Sequence, residues 1–305
     1  LLGILADKEY PDLRATGNIS REDRRLIFIK TGALMGHKVA SVIINSIDNI
    51  FVSMYIGLEM VAIYNNYYYV ITAVSGLFLM LLNGLNSVIG NYLIKESKKK
   101  ILNLFYTVHY ITSFCICICC TCFMNLYQTF ITLWVGKDSL LGLSSVVLLV
   151  ACFYSIRIRT IGTLFEDAAG LWEKDVLKSY LMVIIDLAID IYLLKNIGIN
   201  GALISTIATM LFAFFYESNV LHKFCLKTKQ KKYLIDTLVY TVATVLSCAV
   251  SSIVCSVFSY NLFVSLAINL LVSIVVSSIV YITLTFKMNE FMDSIAFVKD
   301  KVLKR

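Results

Sequence analysis

Ionisable and amide side chains stand inside long apolar stretches of this chain: Lys38, Asn45, Asp48 and Asn49 in one, Arg157 and Arg159 in another, Asp186 and Asp190 in a third. Their spacing is helical. Asn45 shares a helix face with Asp48 (i, i+3) and Asn49 (i, i+4), with Lys38 two turns below, and Asp186 and Asp190 form an i, i+4 pair. Arg157 and Arg159 are separated by about 200° around a helix, so at most one can look squarely into a central cavity. An ionisable group in hydrocarbon costs about 2.5–3.5 kcal/mol on insertion scales and generally faces a cavity or a partner. The chemistry on offer is therefore the holding of charge within a membrane. Each group also has a structural reading. Lys38 is close enough to a span end to snorkel, and Asp48, Asp186 or Asp190 could pair with Arg157 or Arg159 to hold helices together.

Bond-making chemistry finds no support. There is no glycine-rich phosphate loop, HExxH, GxSxG or metal-binding DxD, and the connections between spans are too short for a catalytic domain; the chain reads as a non-enzyme without cofactor or metal. Five of the nine cysteines crowd into Cys115, Cys117, Cys119, Cys120 and Cys122 in mid-span, with no second pair or histidine at ligand spacing, so they read as small packing residues. His37, His109 and His222 fall far apart, near span ends. The run Tyr64, Tyr67, Tyr68, Tyr69 reads as an interfacial aromatic belt or, alternatively, as a sugar-stacking surface at a cavity mouth. The triplet Asn18-Ile19-Ser20 has the form of a glycosylation acceptor but falls on the cytoplasmic side.

The elements that must position these residues follow from composition. Of 305 residues, 59% are hydrophobic and 15% charged, with a mean hydropathy of +0.80; soluble domains carry about 45–50% and about 25%. The chain is predicted to be all-α, a polytopic transmembrane helical bundle. Eight apolar stretches of spanning length occupy 33–57, 61–82, 104–126, 140–164, 176–195, 199–221, 236–258 and 262–286. Residues 1–32 read as the end of a preceding span and a cytoplasmic connector, 33–221 as a six-helix bundle, 222–235 as a basic loop, 236–286 as two additional helices and 287–305 as a cytoplasmic tail. The apolar start at Leu1 reads as the C-terminal part of a longer chain.

Of the 27 lysines and arginines, one side of the membrane receives only Lys137 and Lys195, and Lys38, Arg157 and Arg159 lie within spans; all others gather on the opposite side. The positive-inside rule makes that side, and both ends of the chain, cytoplasmic. The same asymmetry accounts for the net charge of +7 without nucleic acid. Basic stretches such as 95–100 and 227–232 flank apolar spans without interleaved stacking aromatics, and read as topology determinants beside membrane lipids.

Certain segments, taken in order, resemble bacterial polysaccharide repeat-unit flippases, the O-antigen and capsule transporters. They are Tyr10-Pro11-Asp12-Leu13, the stretch 22–30, His37-Lys38, Asn45-Ser46-Ile47-Asp48-Asn49-Ile50, Ile56-Gly57-Leu58-Glu59 and Tyr64-Asn65-Asn66-Tyr67. A second block holds Glu166-Asp167-Ala168-Ala169-Gly170-Leu171-Trp172-Glu173, Lys195-Asn196-Ile197-Gly198-Ile199-Asn200-Gly201-Ala202 and Glu217. The resemblance implies the multidrug/oligosaccharidyl-lipid/polysaccharide exporter fold, two six-helix bundles across a central cavity, of which this chain would hold the second bundle and two extra C-terminal helices. It further implies alternating-access movement of an undecaprenyl-pyrophosphate-linked oligosaccharide across the bacterial inner membrane, with a polysaccharide polymerase as a partner. On that reading Arg157, Arg159, Lys38 and Asn45 bind substrate, while Asp48, Asp186 and Asp190 hold a coupling proton or sodium ion, since desolvated carboxylates exchange protons near neutral pH. The alternative is an ion-coupled multidrug exporter of the same superfamily.

Overall fold

The computed structural model describes residues 19–257 and 261–302. The apolar start at 1–6, the Tyr10–Leu13 segment and most of the expected turn at 259–261 lie outside them. Among the described residues there is no strand, and eleven α-helices follow one another: α1 (Arg21–Tyr55), α2 (Leu58–Asn83), α3 (Asn86–Lys95), α4 (Lys98–Trp134), α5 (Leu143–Arg157), α6 (Thr160–Ala169), α7 (Trp172–Ile197), α8 (Ile199–Val220), α9 (Lys231–Ser256), α10 (Leu262–Thr285) and α11 (Asn289–Val302).

Every apolar stretch expected to span is helical over most of its described residues. Six helical runs are long and apolar enough to cross a membrane: α1, α4, α5 with α6, α8 with the turn that follows it, α9 and α10. This is the make-up of a multi-pass membrane protein. The expectation of eight spans is met at this level for six. The other two stretches, 61–82 and 176–195, form the single helices α2 and α7, whose apolar runs are interrupted by Asn65, Asn66 and the tyrosines in α2 and by Lys178, Asp186 and Asp190 in α7. Three helical extensions escaped the apolar pattern because they are amphipathic or charged: the start of α1 from Arg21, the short α3, and α11.

Lysine-rich connections gather at one end, here called the basic end: Lys98, after α3, donates to the carbonyl of Lys227, after α8, and Lys232 of α9 pairs with Glu290 of α11. α8 packs along α7, α7 along α1, and α5 along α8 and α4; α9 and α10 pack on each other and on α4, and α11 lies against the basic end of α4. At 37 residues, α4 is the longest helix and touches both groups. The opposite-end turns are tight. Gly57 (φ 120°) and Gly198 (φ 60°) reverse the chain in a backbone region that other residues adopt only with strain. Gly201 is fixed by packing rather than by φ, because a Cβ there would stand 2.5–2.7 Å from the main chain of Leu193 and Leu194.

With no hydrophobic drive between lipid-facing helices, polar groups and small residues join them. Asn125 of α4 donates to Ser251 of α9 (2.8 Å) and Ser273 of α10 (2.9 Å) and accepts from Ser252 (2.8 Å). Tyr154 of α5 meets Thr241 of α9 at 2.7 Å, and Tyr110 of α4 meets Thr285 of α10 at 2.9 Å. The cysteines belong to the same packing, Cys117 and Cys120 being buried within it. Near the opposite end, the Tyr67 hydroxyl donates to Gln128 (2.8 Å) and accepts from the Leu141 amide (3.1 Å), locking α2 and α4 to the start of α5.

Candidate functional site

A buried cluster of charge sits where four helices meet at the basic end. α5 and α6 are one apolar run interrupted at Ile158 and Arg159. Ser155 and Thr163 return their hydroxyls to main-chain carbonyls on either side of this break, at 3.0 and 3.3 Å, a local competition that bends helices. The break turns Arg159 inward. α6 then ends at Gly170, whose left-handed conformation (φ 65°, ψ 37°) lets the chain reverse, with the amides of Gly170 and Leu171 capping the carbonyls of Asp167 and Glu166. α7 starts directly after this turn, so Glu166 on one side of it comes beside Asp175 and Lys178 on the other. Glu217, near the end of α8, closes the cluster.

Arg159 donates from Nε to Glu217 Oε2 at 2.8 Å and from Nη2 to Glu217 Oε1, while its Nη1 reaches Met210 Sδ at 2.8 Å. Lys178 Nζ bridges Asp175 and Glu217. Glu166, Asp175, Lys178 and Glu217 are each 3–5% exposed. Carboxylate oxygens of Glu166, Asp175 and Glu217 lie within 4.8 Å of one another, a spacing at which three like charges require a cation. Here the cation is the Lys178 ammonium, so the place a metal ion would take is filled by the protein's own side chain. Three carboxylates nevertheless face two cations, and Glu166 Oε1 and Asp175 Oδ1 have no hydrogen-bond partner. With two cations among them, the three carboxylates balance only when one carries a proton or a further cation joins them.

His37 fastens α1 to this corner. Its Nε2–H donates to the Trp172 carbonyl (3.1 Å), leaving Nδ1 to accept from the Ser179 hydroxyl (2.6 Å). The Trp172 indole in turn donates to Asp167 (2.9 Å) across the α6–α7 turn. The other two histidines pack among aromatic rings at the same end. His109 and His222 both contact Phe105 and Tyr233, and His109 Nε2 pairs with Thr237 at 3.1 Å.

A second feature lies deeper, a small cleft between α1, α2, α5 and α8 lined by Asn49, Tyr64, Tyr68, Ile156 and Thr206 among others. Tyr64 and Tyr68 stack one turn apart on it, ring centroids 5.8 Å from each other. Arg157, half-buried, is in electrostatic range of Tyr68. Its Nε and the Asn49 Oδ1 are buried without hydrogen-bond partners.

The residues singled out from sequence are thus divided. Arg159 enters the buried cluster, whereas Arg157 makes no ion pair among the described residues and is in electrostatic range of Tyr68 on the cleft. Asp186 is buried and accepts from Ser205 (3.2 Å) and Thr209 (3.1 Å) of α8, with no ion pair to Arg157 or Arg159 among the described residues. Asp190 is fully buried one turn further along α7. Lys38 is exposed on α1; Asn45 and Asp48 lie on α1, and their side chains fall outside the described residues. The tyrosine run is split by helix geometry: Tyr67 packs inward, Tyr64 and Tyr68 line the cleft and Tyr69 is exposed.

Sequence reasoning missed the cluster as a unit. Lys178 read as one more topology lysine, Asp175 drew no notice, and Glu166 and Glu217 entered only through the resemblance. The available signal was the i, i+3 pair Asp175 and Lys178 at the edge of an apolar run; its partners are contributed from elsewhere in the chain, and only folding reveals them. What fold and site define together is an all-helical membrane protein with a buried ionic knot at its basic end. No protein family, curated protein or solved structure matches the chain.

Proposed function

We propose that this chain is part of a flippase that moves undecaprenyl-pyrophosphate-linked oligosaccharide repeat units across the bacterial inner membrane for surface polysaccharide synthesis, by alternating access. The carrying observation is the cleft between α1, α2, α5 and α8, where the Asn49 amide oxygen has no hydrogen-bond partner beside two stacked tyrosine rings, and the half-buried Arg157, its Nε without a partner, is in electrostatic range of one of them, Tyr68. A cation with open donors suits a diphosphate, and aromatic faces suit sugar rings. The ordered resemblance to repeat-unit flippases supports the same reading, with eight spans in an exporter-type bundle and the basic end in the cytoplasm.

In this reading the substrate-contacting group is Arg157, joined by Asn45 and Lys38 on α1. Arg159 instead fixes α5 and α6 to α8 through Glu217. The surplus carboxylate of the buried cluster is a place for a coupling proton or cation, alongside Asp48, Asp186 and Asp190. Discontinuous or bent helices carrying such groups are the devices by which transporters change access around a fixed site.

The test is complementation. A strain lacking the gene is restored with wild type or with Arg157→Ala, and surface polymer and undecaprenyl-linked intermediates are measured together. Wild type restores surface polymer, and Arg157→Ala at equal abundance leaves lipid-linked repeat units trapped. Normal surface polymer in the deletion strain, in a background without a second flippase, ends the proposal and transfers weight to an ion-coupled drug exporter.

A further inference from the structure

The basic end carries a second concavity, lined by none of the residues of the buried cluster or the cleft. After α8 the chain widens into a π-helical turn (Leu221–Leu226) and ends it at Lys227, whose left-handed backbone (φ 51°) is held where Lys98 Nζ donates to its carbonyl at 2.8 Å. α9 then begins at Lys231. Between the wide turn and the first turns of α9 lies a cavity of about 660 Å³.

Two kinds of group line it. Lys223, Lys229 and Lys231 are exposed and make no ion pair among the described residues, and Gln230 and Lys231, where α9 begins without a side-chain cap on its N-terminal amides, line the same cavity. This half is built for an anion. The other half offers unfilled polar atoms: His222 Nε2, Thr228 Oγ1 and Gln230 Oε1 are buried without hydrogen-bond partners. His222 is only 2% exposed, and its Nδ1–H donates to the Ser218 carbonyl at 2.8 Å, so the neutral ring presents Nε2 as an acceptor. It needs a donor such as a hydroxyl.

Leu234 and Leu238, on the membrane side of this cavity, also line a larger groove of about 760 Å³ between α4, α5, α8 and α9, whose wall is almost wholly apolar and includes Phe214, Phe215 and Val245. A polar pocket at the basic end therefore runs into an apolar groove in the membrane. One molecule fits both: a phosphate for the lysines and amides, hydroxyls beyond it for the buried acceptors, and a hydrocarbon chain for the groove.

We propose that this continuous pocket and groove form a specific site for one anionic, hydroxyl-bearing phospholipid of the bilayer, the phosphatidylglycerol class, seated between α8 and α9 and holding the two additional helices against the bundle. The proposal rests on the membrane-spanning reading alone and not on what the protein transports.

The test uses the full chain reconstituted in phosphatidylcholine nanodiscs containing a minor fraction of phosphatidylglycerol, with retained lipid measured by native mass spectrometry. Wild type retains one phosphatidylglycerol through mild delipidation. The triple substitution Lys223→Gln, Lys229→Gln, Lys231→Gln, all exposed side chains, lowers that retention at least about tenfold, whereas Lys95→Gln with Lys99→Gln, elsewhere on the basic end, leaves it unchanged. Wild type also retains phosphatidylglycerol over phosphatidylmethanol, which has the charge without the hydroxyls, and His222→Phe, which keeps the ring packing, erases that preference. Equal loss in both lysine variants would show general surface attraction and overturn the proposal. So would stoichiometric displacement of phosphatidylglycerol by a polyprenyl diphosphate, which would assign the pocket to a transported lipid.

Discussion

Glu217 receives both Arg159 and Lys178 in a place closed to water. Breaking such a buried pair leaves an uncompensated charge, with a cost of about 3–5 kcal/mol. Glu217→Gln is therefore expected to lower the yield and melting temperature of the purified protein sharply. Glu166→Gln acts in the opposite direction. It removes the carboxylate that exceeds the available cations, so the melting temperature should stay level or rise; a fall as large as that of Glu217→Gln would show that Glu166 is held by a cation the cluster does not itself supply. The apolar double replacement Arg159→Met, Glu217→Met should be less damaging than Glu217→Gln alone, since it removes the charge together with its partner, although Lys178 then keeps only Asp175. Arg157 differs from all of these. Its Nε has no partner, so Arg157→Ala should leave stability near wild type while lowering transport more than Lys38→Ala, whose side chain is exposed. Wild-type transport in both variants would remove the cationic-cleft reading.

At the scale of elements, α7 and α8 form an antiparallel pair whose closeness depends on one missing side chain. At Gly201 a methyl group would overlap the main chain of Leu193 and Leu194, and main chain yields less readily than a flexible side-chain tip. Gly201→Ala should cost about 1–3 kcal/mol, read as a lower melting temperature. Gly76→Ala in α2, where a Cβ meets nothing within 4 Å, should be neutral or stabilising by about 0.5–1 kcal/mol because it only removes backbone freedom. The α4–α9–α10 contact depends on hydrogen bonds as well as shape. Asn125→Ala deletes three of them and should weaken the docking of α9 and α10 by about 1–2 kcal/mol, the usual range for polar contacts between membrane helices. Faster proteolysis at the connection before α9, with the earlier helices still protected, would locate the loss there.

Across the whole molecule, charge is distributed in two ways. The exposed lysines and arginines crowd one end, and several carboxylates and cations are buried just inside that end, joining α5, α6, α7 and α8. Desolvated charges are seldom the most stabilising way to join helices, and in a membrane protein they mark the parts that bind or move. The cluster and the cleft share α5 and α8, with Arg157 and Arg159 two residues apart across the helix break. A change at the cleft therefore has a short mechanical route to the basic end, through the bend at Ile158 and Arg159.

The amino-acid sequence determined much of this by itself. Runs of apolar residues of bilayer length must be helical because hydrocarbon offers no partner for an open backbone, so the locations of α1, α2, α4, α5 and α7 to α10 followed from composition alone. Amphipathic helices such as α3 and α11 did not show, because their signal lies in periodicity rather than in mean hydropathy. The partners of buried charge were decided only by tertiary structure. Glu166, Asp175, Lys178 and Glu217 lie on three helices, and nothing local to any of them says which groups meet after the chain reverses at Gly170. Asp186 could have paired with an arginine on spacing and charge, yet the close approach of α7 and α8 at Gly201 gives it Ser205 and Thr209. Helix formation is set by a residue's neighbours along the chain, whereas the pairing of buried charge depends on which helices pack, and that is a property of the whole bundle.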